Sequence, residues 1–399
     1  MKDYKEIENN IKRGAVMKKK VMILMGIMLL ISGVIIGCGE ASEENPNDPD
    51  QSQAENDDET SQQEMESSED DIDETTNEES EVEEEVEEEV VLVDPASVQA
   101  NELGQIMVLM YHHIDEPEDT WVRTPDNFRR DLQELYDRGY RPVSLADYAT
   151  GNIEVEPGYK PVVFTFDDGR QNNFNMIENS SGEWDIDPDS AVGILMDFHE
   201  EHPDFPLEAT FFINGGTPFG QEDLVEFKLN FIVDQGMDIG NHSYTHANFN
   251  NLTAEELQYQ LGRLNNMVLG YLPDYEVNTL ALPFGSRPQN EDLMKYLHQG
   301  EYDGVSYENV AILEVGWDPY HSPFHQDFNP LKIRRVRASE MDVDGVGIYD
   351  WLGHFESGAR SPYVSDGSKG TISFPKELED RLGDQNSNSK KLQPYESGE

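Results

Sequence analysis

Val162-Val163-Phe164-Thr165-Phe166-Asp167-Asp168-Gly169 is a near-continuous apolar run that stops on two carboxylates and a glycine. A strand without polar alternation is one buried on both faces. The same kind of run returns on either side of it. Ile106 to Tyr111, Ala209 to Ile213, Met237 to Gly240 and Thr279 to Leu282 read as strands, and Leu331 to Arg337 reads as a late one. Helical signals lie between them. Thr124-Pro125 offers an N-cap and a first helical position, and Phe128, Leu132 and Leu135 follow as an apolar stripe. Thr253-Ala254-Glu255-Glu256 has capping-box form, with Leu257, Leu261, Leu264 and Val268 at helical spacing behind it. Strands buried on both faces and alternating with helices predict an α/β fold with a parallel sheet or barrel. Polar chemistry sits where strands end, at Asp167-Asp168, His242 and Pro283. In α/β barrels that rim is where active sites are built. Asn172 to Leu207 is longer than a simple connection needs and predicts an inserted helix and loop beside the site.

Charge divides the chain of 399 residues, whose formal net charge is -54. From Gly39 to about Ala96 there is no Lys or Arg, and acidic runs such as Glu81 to Glu89 dominate. Such a stretch cannot bury enough apolar surface to offset chain entropy, so 39–97 is expected to be a disordered, self-repelling linker. The part that folds is then one domain, 98–382, followed by a polar tail, 383–399. The acidity excludes nucleic acid as a partner, because phosphate neutralisation needs a basic face. Cys38 is the only cysteine, which rules out an intramolecular disulfide and a cysteine-based zinc cluster. Lys18, Lys19 and Lys20 precede an apolar run, Val21 to Gly37, that ends on Cys38. This segment, 1–38 with a start at Met17, resembles a bacterial lipoprotein signal with Ile35-Ile36-Gly37-Cys38 as its lipobox. The resemblance implies lipidation of Cys38. The basic residues on the N-terminal side place the rest of the chain on the extracellular face of the membrane. An uncleaved membrane anchor is the other reading, since the run is near the lower limit for spanning.

Asp167-Asp168-Gly169 alone reads as an ordinary turn. The pair His242 and His246 raises it above that. At i,i+4, on one turn of helix, the two imidazoles face the same side. Two imidazoles and one carboxylate leave a fourth position on a zinc-like ion for water. Lewis acidity there lowers the water pKa toward ~7. A second carboxylate, kept off the metal, is then free to act as general base. Zinc suits this ligand set, as do cobalt, nickel and iron.

In chain order, Phe166-Asp167-Asp168-Gly169, His242-Ser243-Tyr244-Thr245-His246 and Pro283-Phe284-Gly285 resemble the polysaccharide deacetylases with NodB homology, carbohydrate esterase family four. The resemblance runs from about Ile106 to Gly367. It implies a distorted (β/α) barrel with fewer than eight complete units, Asp167 as general base, and Asp168, His242 and His246 as ligands of one divalent metal. Pro283, Phe284 and Gly285 would form the groove wall, with the Phe284 N–H at the oxyanion. The third stretch departs from the family pattern Arg-x-Pro-Tyr-Gly, because Ala281 stands where the arginine orients the base. Arg287, Arg335 and Arg337 are candidates to replace it, and each taken singly reads as surface charge. The late Trp and His motifs have no match, and Asp350-Trp351 with His354 reads as an amphipathic helix. Tyr111-His112-His113-Ile114 resembles the Tyr-His-x-Ile subgroup, which includes deacetylases of poly-N-acetylglucosamine. By that resemblance His112 is the general acid, and His113 points away if the backbone there is extended.

The implied activity is metal-dependent hydrolysis of N-acetyl groups on an extracellular N-acetylglucosamine-containing polysaccharide. Poly-N-acetylglucosamine, chitin-like chains and peptidoglycan all present that group. The alternative is a non-catalytic glycan-binding lipoprotein on a decayed scaffold, motivated by the missing arginine and the absent late His. Tyr111, Phe219, Trp317 and Tyr320 are candidate sugar-stacking rings that read equally well as core.

Overall fold

A computed structural model describes residues 93–397. The lipobox with Cys38 and the acidic linker up to residue 92 lie outside the described residues. Six strands form one parallel sheet: β1 (Gln105–Tyr111), β2 (Lys160–Phe166), β3 (Thr210–Ile213), β4 (Asp238–Asn241), β5 (Thr279–Ala281) and β6 (Ala311–Leu313). They pair in chain order, each parallel to the next. The sheet curls until its edges meet through one segment, residues 333–337. Ile333 bridges Leu313 of β6 in parallel. Val336 and Arg337, strand β7, pair in parallel with Leu109 and Met110 of β1. The result is a distorted α/β barrel, as expected, in a sheet of nine strands once Tyr140–Pro142, beside β2, and Tyr320–His321, beside β1, are counted.

Local rules account for the elements around it. Helix α1 (Pro125–Asp137) starts where Pro fits the first turn, and the Thr124 hydroxyl accepts the Asn127 N–H at 3.2 Å. Its Phe128, Leu132 and Leu135 are buried. It packs against α2 (Ala191–Glu201). Helix α3 (Val225–Asp234) connects β3 to β4, and α4 (Ala254–Leu269) connects β4 to β5. At the start of α4, Thr253 Oγ1 accepts from Glu256 N while the Glu256 carboxylate accepts from Thr253 N, which closes the capping box. Leu257, Leu261, Leu264 and Val268 face inward. The strand residues are buried on both faces, and Phe166 stacks on Phe211 with ring centroids 4.9 Å apart.

Three segments differ from their sequence reading. Only Val336–Arg337 of the late run is strand, because Pro330 and the cap from Asn329 turn residues Pro330–Lys332 into a 3-10 helix. The insert 172–207 carries, besides α2, an antiparallel hairpin of Met176–Glu178 and Trp184–Ile186. Residues 383–399 are not simply a polar tail. Lys391–Tyr395 pairs in parallel with Thr371–Pro375, and the Tyr395 hydroxyl donates to the Ala100 carbonyl at 2.8 Å.

Candidate active site

The C-terminal ends of β1, β2, β4 and β5 converge on one cluster. At the end of β2, the Asp167 N–H donates to the Tyr111 carbonyl at 2.9 Å, which carries the sheet one residue further and fixes Asp167 in the barrel mouth. The chain then turns. Asp168 and Gly169 both have positive φ, +75° and +56°. A Cβ on Gly169 would lie 2.8 Å from the Ile213 side chain, so only glycine fits there. Ser243, His246 and Phe284 also have positive φ. Four non-glycine residues in the left-handed region at one site amount to stored strain on the order of 1–3 kcal/mol each.

Asp167 is buried, and its partner is Arg335 on the segment that closes the barrel. Arg335 donates from Nη1 to Oδ1 and from Nη2 to Oδ2, both at 2.7 Å. The same guanidinium donates to Thr165 Oγ1 at 3.2 Å and to the Glu314 carbonyl at 3.2 Å. Arg335 is therefore no surface charge; it is fully buried and pairs with Asp167. Burial would push the Asp167 carboxyl up. The Arg335 charge, followed by His242, outweighs burial and holds it well below the usual carboxylate range. Arg287 and Arg337 are committed elsewhere, Arg287 to Glu314 and the Leu331 carbonyl, Arg337 to the carbonyls of Met341 and Asp342.

Asp168, His242 and His246 come together with their ligand atoms within 4.8 Å of one another. Asp168 Oδ1 lies 3.6 Å from His242 Nε2 and 3.5 Å from His246 Nε2. The two histidines are not on a helix. Residues 242–246 form a loop after β4, held by Asn241 Oδ1 accepting from Ser243 N and Ser243 Oγ accepting from Ala247 N. The positive φ values at Ser243 and His246 replace the helical turn in bringing both rings to one side. His242 donates from Nδ1 to the Ala281 carbonyl at 2.8 Å, which leaves the Nε2 lone pair facing Asp168. Burial, then repulsion from His242, lowers the His246 imidazole below its ordinary value. Two imidazole nitrogens and one carboxylate oxygen are a donor set that fits one divalent cation.

His112 Nε2 lies 3.8 Å from Asp167 Oδ2, the oxygen that also faces His242 at 3.9 Å. Burial lowers the His112 imidazole to about 4, against the upward pull of Asp167. Its carbonyl accepts from buried Asn173 at 2.6 Å, a contact from the insert that sequence reasoning did not anticipate. His113 turns the other way, accepting from Asn172 at 3.3 Å. Pro283, Phe284 and Gly285 form a 3-10 turn beyond β5, with the exposed Phe284 ring against His246 at 4.5 Å. Tyr111, Phe219 and Tyr320 are buried and belong to the core. Trp317 is exposed, and its carbonyl accepts the Trp351 indole N–H.

Residues 204–305 match the sequence model of the family described as polysaccharide deacetylase. The chain carries a polysaccharide deacetylase domain. The matched stretch contains His242, His246 and Pro283-Phe284-Gly285; the barrel brings Asp167 and Asp168 to them from outside it. This deacetylase domain is similar to YxkH of Bacillus subtilis (strain 168), provisionally named a polysaccharide deacetylase. The two are 22% identical over 258 residues, 64% of this chain and 79% of YxkH. Among solved structures it is similar to a polysaccharide deacetylase of Bacillus cereus, at 20% identity and a TM-score of 0.43, covering 59% of this chain and 65% of that one. It is also similar to IcaB of Ammonifex degensii, at 18% identity and a TM-score of 0.41, covering 59% and 93%.

A second group, His321, His325 and Asp327, also places three possible ligand atoms together. It sits at the other end of the barrel, where His321 pairs with Gln105 at the start of β1. Its two rings stack at 4.4 Å and 22°, so their planes run side by side, and His325 Nδ1 already accepts from Asp327 N.

Proposed function

We propose that this protein hydrolyses N-acetyl groups on an extracellular N-acetylglucosamine-containing polysaccharide, with Asp167 as base and His112 as acid. The observation that carries the proposal is the buried Arg335–Asp167 pair standing 3.9 Å from a three-ligand cluster. A glycan-binding protein on a decayed scaffold has no need of either. That second reading rests on the missing arginine and the absent late His; against it, Arg335 sets a buried guanidinium on Asp167, and His112 is the proposed acid.

A divalent cation, zinc or a cobalt, nickel or iron equivalent, held by Asp168, His242 and His246 would supply Lewis acidity, bringing a water's pKa toward ~7. Arg335 keeps Asp167 anionic and immobile, so Oδ2 is always ready to accept a proton but is a weak base. It takes one from the attacking water as that water adds to the acetamido carbon. His112 is neutral in the resting site, so the proton it delivers must arise within the site. It receives that proton from Asp167 across the 3.8 Å gap and gives it to the sugar nitrogen as the C–N bond breaks. The amine and acetic acid leave, the acid losing its proton to the amine or to solvent, and Asp167 is again anionic. The Phe284 N–H on its strained turn is the proposed donor to the oxyanion.

Acid and base steps are each worth ~10²–10⁴-fold. The test is acetate release from N-acetylglucosamine oligomers, chitooligosaccharides and peptidoglycan by the chelated and metal-reloaded protein. Asp167→Asn is expected to lower turnover by about that factor with metal content unchanged. Near-full activity in Asp167→Asn would refute the assignment. Absence of release from every substrate, despite bound metal and glycan affinity, would favour the binding protein. The proposed address is the extracellular face of the membrane, with lipidated Cys38 as tether. Cys38→Ala should free the protein into the medium, and retention on membranes would reject the tether. Among the described residues no helix is long and apolar enough to cross a membrane.

A further inference from the structure

Half of the large apolar side chains left exposed among the described residues lie close to the cluster in space or in sequence. Phe284 lies against His246, Val315 packs on Gly285, and Trp317 follows two residues later. On the other side of the cluster stands Trp121, 44% exposed, with its ring centroid 4.7 Å from that of His112. The proposed chemistry uses His112 and makes no use of Trp121.

We propose that Trp121 is a sugar-binding platform, the subsite for the pyranose ring next to the one that loses its acetyl group. The inference rests on the polysaccharide reading above and adds to it a residue that sets how much of the chain is gripped. An indole half open to water is not there for the core, and a single ring of this kind is too small an apolar patch to be a protein interface. It is also held still. The Trp121 carbonyl accepts from His113 N at 3.1 Å, and Val122 next to it pairs with His113 and exchanges hydrogen bonds with Asp119. The loop is tied across the mouth as well, by Thr120 Oγ1 donating to Asp342 at 3.1 Å and Ser339 Oγ donating to the Asp119 carbonyl at 3.3 Å. The Arg337 guanidinium lies over the indole at 5.4 Å, its Nη2 spent on the Met341 and Asp342 carbonyls, so it backs the ring. A rigid exposed aromatic surface suits the apolar C–H face of a pyranose and costs little conformational entropy on binding. Position decides which ring it takes. His112 must reach the nitrogen of the reacting sugar, so a ring lying on Trp121, one side chain further out, is that sugar's neighbour in the polymer.

The test uses the full chain carrying Asp167→Asn, loaded with zinc, so that binding is read without turnover. Calorimetry would compare N-acetylglucosamine with its longer oligomers. With Trp121 intact, affinity should rise on going from one ring to several. Adding Trp121→Ala should remove about tenfold of that gain, with single-sugar binding, zinc content and melting temperature held, and Trp121→Phe should restore most of it. Equal affinity for long oligomers with and without Trp121, or no oligomer affinity in either protein, would overturn the subsite. If the wild-type chain releases no acetate while oligomer affinity still depends on Trp121, the subsite stands and the deacetylase reading falls.

Discussion

Two buried carboxylate sites in this protein are built in opposite ways. In the barrel mouth, Asp167 faces a guanidinium that meets both of its oxygens, and it stays anionic. Beneath the C-terminal strands, Glu102 and Asp366 are equally buried, but neutral donors surround them. Tyr363 and the Ser373 N–H donate to Glu102 at 2.9 and 2.8 Å, and the hydroxyls of Thr371 and Ser373 donate to Asp366. Burial, and then the Asp366 charge, pushes the Glu102 carboxyl up to about 8. The lesson is that burial does not set a carboxylate's charge; the partner does. A matched cation preserves an anion for chemistry at any working pH. Hydroxyls and N–H groups let the site take a proton and serve as a fastener between the N-terminal segment and the last strands.

Arg335→Met would break the comparison most directly, because it turns the first site into a version of the second. Asp167 would be left buried and unpaired, so its carboxyl should rise and hold a proton. Acetate release should fall by ~10²–10⁴-fold, and stability should drop by about 3–5 kcal/mol in a denaturant titration. Arg335→Lys should recover only part of either loss, since one ammonium cannot meet both oxygens. Wild-type activity in the Met variant would mean that Arg335 does no more than pack.

His112→Ala probes the same contrast, since it removes the group proposed to pass the Asp167 proton on. Its penalty should be largest for N-acetyl sugars, whose amine must be protonated to leave. For an aryl acetate ester, whose leaving group needs no proton, the penalty should be smaller. Equal losses on both substrates would place His112 in binding or folding instead.

The Glu102 site predicts a smaller effect with a definite sign. A raised carboxyl contributes stability that is fully present below its ordinary value of 4.5 and is lost as pH rises toward about 8. Above that the curve is flat, because both folded and unfolded chains are then ionised. Through this window the slope from Glu102 should approach about 1.4 kcal/mol per pH unit. Glu102→Gln should flatten the fall in melting temperature across it, and an unchanged slope would assign the titration to other groups. Smallest of all, Tyr363→Phe removes one donor to Glu102 and should cost about 1 kcal/mol, measured at a pH low enough that Glu102 is protonated in both proteins.

Much of the fold and of the site was legible where neighbours in sequence decide the outcome. Thr124 with Pro125, and Thr253 with Glu256, cap helices by contacts three residues long, so they read directly off the chain. The apolar run into Asp167-Asp168-Gly169 dictates a buried strand and a glycine turn, and the structure has both. The His242–His246 spacing reads as one turn of helix, but the two rings come together through a loop. The Asn241 and Ser243 side chains hold a loop there, and loop torsions do not leave the periodic signature that a helix does.

The residue types of the chemistry, its order along the chain, and the strands whose ends carry it were legible in the sequence, because each of these follows from local propensity and side-chain chemistry. Which arginine pairs with Asp167 and which tryptophan stands by His112 is settled only in three dimensions. Arg335 lies 168 residues from Asp167 and reaches it because residues 333–337 close the barrel between β6 and β1. Trp121 is presented by ties to Asp342 and Arg337 from that same late part of the chain. Such pairings depend on which strand edges meet when a sheet curls shut, and that is settled by packing of the whole barrel rather than by any stretch of sequence around the residues concerned.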